Sequence, residues 1–310
     1  MARTDGFSGV ISPALTPFTA DLQPDTARFV AHCRWLLEQG CAGLAVFGTT
    51  SEANSQSGSE RMALLEALVA GGVDPAVLMP GTGACSITEA VALTKHAVDL
   101  GCGGVLMLPP YYYKNVDDEG IFRFFDETIQ RIADDRLQVY LYHIPPQTVF
   151  GFSLDLIGRL VDAYPDTVVG IKDSSGDWNN MAAILENFPT LHMFPGSEAY
   201  MLQALRHGAA GCITASANIN PAQLRELYDN WETPEADAMQ DAITAIRLLV
   251  QSYPLVPALK EILAHFKGDG AMRLTRPPFT AMQTARVEKL LAELAKLDFA
   301  IERPLAMAVE

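Results

Sequence analysis

The chain has 310 residues, 49% of them hydrophobic and 19% charged, a globular composition with material for a large apolar core. Its formal net charge of -15 makes nucleic acid and anionic membrane poor partners, and an anionic substrate needs a local positive group. The opening residues lack the long apolar stretch of a secretory signal and the longest apolar runs are of strand length, so the expected location is the cytoplasm.

Eight short apolar segments read as strands: 10–15, 43–47, 76–80, 104–108, 138–143, 168–172, 191–194 and 211–215. Most are continuous runs without alternation, as expected of strands covered on both faces. Helical patterns lie between them. Residues 25–39 carry Phe29, Cys33, Leu36 and Leu37; residues 88–100, with Ser86 as a cap, carry Val91, Leu93 and Val98. Residues 117–133 carry Ile121, Phe124, Phe125 and Ile129, and 154–163, 179–187 and 198–207 complete the set. Strands alternating with helices predict a parallel sheet, and eight units predict an α/β fold of the closed (β/α)8 TIM-barrel type. After residue 220 the strand signals stop, and 221–231, 235–251, 255–266 and 280–297 all read as helices. The first completes the barrel. The expected organisation is a barrel over 1–230 and a C-terminal helical extension over 231–310, packed on it.

The five cysteines, Cys33, Cys41, Cys85, Cys102 and Cys212, include no CxxC pair and have mostly apolar neighbours. They read as buried free thiols. His and Cys form no cluster with metal-ligand spacing, so no metal is expected.

In a (β/α)8 barrel the active site lies at the C-terminal ends of the strands. Polar residues collect at those ends: Gly48 to Glu52, Tyr111 to Tyr113, Tyr140, Tyr142 and His143, Lys172 to Gly176, Gly196 to Glu198, and Thr214 to Asn218. Lys172 is the sharpest, because it follows Val168, Val169, Gly170 and Ile171 directly. A lysine there must snorkel, pair with a carboxylate or be desolvated, and desolvation yields a neutral amine that attacks carbonyls. The bland alternative is an ion pair with Asp173, which is geometrically poor because adjacent strand residues face opposite ways. Tyr142 is either a proton shuttle or a core tyrosine with its hydroxyl satisfied. Thr49 and Thr50 suit carboxylate binding or simple turn chemistry. The tyrosines at 111–113 suit an interface as well as a site. His143 reads as a satisfied structural histidine, with a substrate-hydroxyl ligand as the alternative.

These residues resemble the dihydrodipicolinate synthase/N-acetylneuraminate lyase family of class I aldolases, from residue 10 to 220 and more loosely beyond. GTTSE at 48–52 looks like the family's GTTGE, PPYYY at 109–113 like its PPYY, YHIPPQT at 142–148 like its Y-N-x-P, and GIKDSSG at 170–176 like its lysine strand. The resemblance implies that Lys172 forms an imine with pyruvate or another 2-oxo acid, with no cofactor beyond that covalent imine. It implies that Tyr142 relays protons and orients the carboxylate, that Thr49 and Thr50 bind the carboxylate, and that the Ile213 backbone faces the keto acid. Thr49 would link Tyr142 to Tyr112 of a neighbouring subunit, in a homotetramer built as a dimer of dimers. Ser174 and Gly196, with His143 and Gln147, are the remaining candidates for substrate contacts.

The departures narrow the reaction. Dihydrodipicolinate synthases carry an arginine that grips the aldehyde's carboxylate, where this chain has Gln147, and a neutral amide binds a carboxylate far more weakly than a guanidinium. Cys85 stands where lysine-inhibited members have asparagine. Asp173, Ser174 and Ser175 after the lysine look more like 2-keto-3-deoxy sugar acid aldolases and 4-hydroxy-2-oxoglutarate aldolases than sialic acid lyases. The expectation is an aldolase joining or releasing pyruvate and an aldehyde. The alternatives are 4-hydroxy-tetrahydrodipicolinate synthase or a dehydratase of the same family, and then a non-catalytic 2-oxo-acid-binding protein. Intact Lys172, Tyr142 and Thr49 argue against the last.

Overall fold

A computed structural model of the chain describes residues 6–301; the outermost parts of the expected 1–230 and 231–310 units, residues 1–5 and 302–310, lie outside the described residues. Its strands are β1 (Gly9–Ser12), β2 (Gly43–Leu44), β3 (Val105–Met107), β4 (Val139–His143), β5 (Val168–Asp173), β6 (His192–Pro195) and β7 (Gly211–Ile213). They pair in parallel in the orders β2-β1-β7 and β3-β4-β5-β6. Two seams close the ring. Segment 78–81 bridges Leu78 to Leu44 and Gly81 to Leu106, and Ala210 N donates to Met193 O at 2.9 Å. The result is the expected closed α/β barrel with eight extended segments around it.

The expected third strand, 76–80, is only half extended. Pro75–Val77 form a 3-10 turn capped by Asp74, whose side chain accepts from Ala76 N. Pro75 has no N–H for a ladder, so extended backbone begins only at Leu78.

The helices are α1 (Thr26–Glu38), α2 (Gly58–Ala70), α3 (Ile87–Asp99), α4 (Asp118–Ile132), α5 (Pro145–Thr148), α6 (Leu154–Ala163), α7 (Trp178–Asn187), α8 (Met201–Arg206), α9 (Pro221–Asp229), α10 (Ala236–Gln251), α11 (Leu255–Lys267) and α12 (Thr284–Ala295). Neither α2 nor the short α5 was among the expected helices. The α2 start is specified locally by a capping box: Ser57 Oγ accepts from Glu60 N, and Glu60 Oε2 accepts from Ser57 N. The expected helix 198–207 opens as a 3-10 turn, Glu198–Tyr200, before α8.

Two apolar cores follow from strand alternation. Val10, Val139, Leu141 and Ile171 face the helices, while Ile11, Ala45, Met79, Leu106, Tyr140, Tyr142, Phe194 and Ile213 fill the barrel lumen. Tyr140 is the lumen's broadest filler. A Cβ at Gly170 would lie 2.4 Å from its ring, so that position has to lack a side chain. Its hydroxyl accepts from Phe7 N at 3.0 Å. This packed layer lies one alternation below Tyr142, which puts the open end of the lumen at the C-terminal ends of the strands.

Of the cysteines, Cys33, Cys41 and Cys212 are buried free thiols, as expected. Cys102 is half-buried and Cys85 is exposed, contrary to the expectation for both. Cys85 falls in the bend before α3 rather than on an element's apolar face.

Candidate active site

Lys172 on β5 and Tyr142 on β4 are direct register partners, and each side chain is 5% exposed. Lys172 Nζ sits 4.3 Å from the centroid of the Tyr142 ring. Among the described residues it makes no ion pair. Asp173 faces the other way, and its carboxylate accepts from Ser175 N at 2.7 Å, Ser175 Oγ at 2.5 Å and Asn180 Nδ2 at 2.6 Å. The Lys172–Asp173 ion pair is therefore absent, for the alternation reason that made it unattractive in sequence. Lys172 is thus a buried lysine beside a phenol, a placement suited to covalent carbonyl chemistry.

Thr49 Oγ1 lies 3.3 Å from Tyr142 Oη, so the three side chains form a line from the turn after β2 to the lysine. That turn closes with Glu52 N donating to Thr49 O and Ala53 N to Gly48 O, each at 3.2 Å. Thr50, next to Thr49, is buried. Ile213 ends β7 with its side chain in the lumen cluster that contains Tyr142.

Ser174 and Gly196 are brought together at the neighbouring strand ends. Ser174 N donates to His143 O at 2.7 Å and Gly196 N to Asp173 O at 2.6 Å. A Cβ at Gly196 would stand 2.0 Å from Ser174 Oγ, so glycine there makes room for the serine hydroxyl. Gln147 lies on α5, just past β4, and is exposed.

His143 is not brought to Lys172. It alternates with Tyr142, and its Nδ1 accepts from Phe152 N at 3.0 Å. Burial pushes its pKa down while Asp173 pulls it up. A Cβ at Gly151 would come within 2.3 Å of the ring, so the loop 144–152 is folded tightly over it. These contacts match the structural reading of His143 rather than the substrate-ligand alternative. Tyr112 also stands apart from the line within one chain: it is 73% exposed, stacked edge-on against the equally exposed Tyr113 at 5.3 Å. Its neighbour Tyr111 donates to Asn54 Oδ1 at 2.9 Å, and burial raises its pKa.

Sequence reasoning passed over two buried ion pairs that reach the strand ends from the C-terminal helices. Glu198, fully buried, accepts from Thr214 Oγ1 and lies 3.5 Å from Arg247 of α10. Glu52, at the end of the Thr49 turn, lies 2.5 Å from Lys260 of α11. The readable signal for Lys260 was a single lysine inside the apolar run 255–264.

The sequence profile of the dihydrodipicolinate synthetase family matches residues 6–297. The chain belongs to that family. It is 34% identical over 281 residues to an uncharacterized DapA-like lyase of Chloroflexus aurantiacus, covering 89% of this chain and 93% of the relative. Among solved structures it is similar to dihydrodipicolinate synthase from Agrobacterium tumefaciens, with a TM-score of 0.88 and 29% identity over 94% of this chain and 99% of that one. It is also similar to a prophage protein of the dihydrodipicolinic acid synthase family from E. coli K12, solved with pyruvate, with a TM-score of 0.87 and 25% identity over 95% and 99% of the two chains. The resemblance read from four short motifs thus extends over nearly the whole length. As a dihydrodipicolinate synthetase family member, the protein is an enzyme, a carbon–carbon lyase of the pyruvate-dependent class I type.

Proposed function

We propose that the protein cleaves or forms a C–C bond between pyruvate and an aldehyde, with a 2-keto-3-deoxy sugar acid, which would release a neutral hydroxyaldehyde, or a 4-hydroxy-2-oxo acid as the long substrate, the former preferred. The observation that carries this reading is the line Lys172, Tyr142, Thr49, with Nζ 4.3 Å from the phenol ring and Thr49 Oγ1 3.3 Å from its hydroxyl.

Lys172 attacks the C2 carbonyl of the 2-oxo acid, and water leaves to give a protonated imine. Tyr142 gives its proton to the hydroxide that departs as that water, and the phenolate left behind takes the proton of the C4 hydroxyl as the C3–C4 electron pair moves into the imine and the aldehyde departs. The enamine left behind regains a proton at C3, and water hydrolyses the imine to free pyruvate and Lys172. The iminium is itself the electron sink, so this route needs neither metal nor organic cofactor. Thr49 and Thr50 hold the substrate carboxylate and the Ile213 backbone faces it. Ser174, beside Gly196, contacts the aldehyde half, with His143 assigned to shape the loop above it. Tyr112 completes the Thr49–Tyr142 relay of a neighbouring subunit in a homotetramer, a role its 73% exposure leaves it free to take. Free thiols, three of them buried, suit the reducing cytoplasm.

Gln147 supports the choice of a neutral aldehyde, because it offers no bidentate cation for a second carboxylate. The test is a panel of aldehydes supplied with pyruvate. Neutral hydroxyaldehydes should be condensed and an acidic semialdehyde should not, with Gln147→Arg gaining activity on the acidic one. A wild-type protein that prefers the acidic aldehyde would overturn the substrate assignment and favour 4-hydroxy-tetrahydrodipicolinate synthase.

A further inference from the structure

The turn that presents Thr49 is anchored by residues that the proposed chemistry does not touch. Glu52 ends the turn in a left-handed conformation, φ 58°, with its side chain fully buried. One carboxylate oxygen lies 2.5 Å from Lys260 Nζ, and the other accepts from Arg276 N at 2.9 Å. Lys260 also donates to Thr16 O at 2.8 Å and Leu274 O at 2.7 Å, with its ammonium 4.5 Å from the centroid of the Phe18 ring. Two of the three donors of its ammonium thus have carbonyl acceptors, and the Glu52 carboxylate stands beside it as an ion pair. These partners come from the loop after β1, the turn after β2 and the C-terminal extension. The same turn is stitched a second time, with Ser51 Oγ donating to Ala14 O at 2.6 Å and Gln56 Nε2 to Ser51 O at 2.7 Å and Thr16 Oγ1 at 3.3 Å.

A buried ion pair is weak evidence for stability, since a well-packed apolar pair is often as good or better. What this pair does fix is geometry. Glu52 N donates to Thr49 O, so any relaxation of the Glu52 carboxylate moves the backbone that aims Thr49 Oγ1 at Tyr142. That contact, at 3.3 Å, already lies just past the usual reach of about 3.2 Å for proton transfer and leaves no slack.

We propose that Glu52 and Lys260 are positioning residues for the Tyr142 relay. The pair locks the turn at 48–52 so that Thr49 holds the Tyr142 hydroxyl in place above Lys172, and the C-terminal extension thereby controls proton transfer through α11. The proposal rests on the reading of Lys172 and Tyr142 given above and adds the group that aligns them.

The test uses full-length Glu52→Gln, Lys260→Met and the double variant. Measured are the thermal midpoint, borohydride trapping of pyruvate on Lys172, kcat, KM and the pH profile of kcat. Trapping after pre-equilibration with saturating pyruvate reads the imine equilibrium, which a relay that only moves protons does not set, so its extent should match wild type. Proton transfer does use the relay, so kcat should fall about 10- to 100-fold, as a displacement near 1 Å predicts. KM for the 2-oxo acid should rise as well, because the same turn presents Thr49 and Thr50 to its carboxylate, and the pH profile of kcat should shift. The double variant carries no unpaired buried charge and should be more stable than either single one, yet its kcat should stay low. A folded variant with wild-type kcat and pH profile overturns the proposal, and so does one whose trapping and kcat fall in parallel. If the single variants do not fold, the double one decides, and wild-type kcat in it overturns the proposal. Failure of the wild type to trap pyruvate refutes the Lys172 reading itself, and the anchor's role falls with it.

Discussion

Acid should unfold this protein through one identifiable histidine. His32 on α1 is fully buried, and its pKa is pushed down to about 3, first by burial and then by the Lys267 ammonium. The geometry explains the direction. Asn218 Nδ2 donates to Pro13 O at 3.1 Å and Ala215 O at 3.0 Å, so its Oδ1 is free to accept from Leu15 N and from His32 Nε2, each at 2.9 Å. The other ring nitrogen, Nδ1, faces Lys267 Nζ at 3.3 Å and must accept. Protonating it turns a second donor toward an ammonium inside the core. The unfolded imidazole titrates at the ordinary histidine value of about 6.5. Stability tied to His32 is therefore complete above pH 6.5 and is lost as pH falls from there toward 3. At pH 4.5 the loss is roughly 2–3 kcal/mol, with no discount for solvent because the ring has none. Lys267, pushed down to about 7 by burial, acts in a different window, gaining stability as pH rises from 7 toward 10.5, and hardly affects the acid limb. The assay is urea unfolding at pH 7.5 and pH 4.5 for wild type and His32→Gln, whose amide can still donate to Asn218 and accept from Lys267. The variant should lose most of the pH-dependent difference. An unchanged difference between the two pH values would refute this account of His32.

Two further outcomes follow from the site. Tyr142→Phe removes the phenol hydroxyl but keeps the ring beside Lys172, so kcat should drop by about 10²–10⁴ while stability moves by no more than about 1 kcal/mol; steady-state kinetics with urea unfolding checks both, and an undiminished kcat would contradict the relay. Gly196→Ala places a Cβ 2.9 Å from the Ser174 backbone as well as against its hydroxyl, so β5 and β6 must part at the mouth. It should cost about 1–3 kcal/mol and raise KM for the aldehyde, whereas unchanged stability and KM would show that the strand ends tolerate the group.

Much of this was readable in the sequence because burial on both faces leaves a plain signature. Each expected apolar run holds extended backbone, but some are cut short: 43–47 is strand only at Gly43–Leu44 and turns at 46–47 with Phe47 at φ 59°, 211–215 stops at Ile213 before the 3-10 turn Ala215–Asn218, and at 76–80 Pro75 delays the strand. Helix α2 was missed although Ser57 and Glu60 spell a capping box, because its buried face includes Arg61 and gives only a weak periodic pattern. That Lys172, Tyr142 and Thr49 come together was legible because each lies toward the C-terminal end of an apolar run, Thr49 after β2, Tyr142 in β4 and Lys172 in β5. The facing of His143 was also legible in principle, since a period of two forces it away from Tyr142. The Glu52–Lys260 and Glu198–Arg247 pairs were not, because they join the barrel to distant helices and local sequence carries no record of such contacts.

The central claim is that the Lys172 amine forms an imine with a 2-oxo acid. Incubation with pyruvate, reduction with borohydride and mapping of the adduct by mass spectrometry tests it directly. A pyruvate-derived adduct on Lys172, absent from Lys172→Ala, is the predicted result. No adduct on Lys172 under conditions that label a known class I aldolase, or an adduct on another lysine, would contradict it.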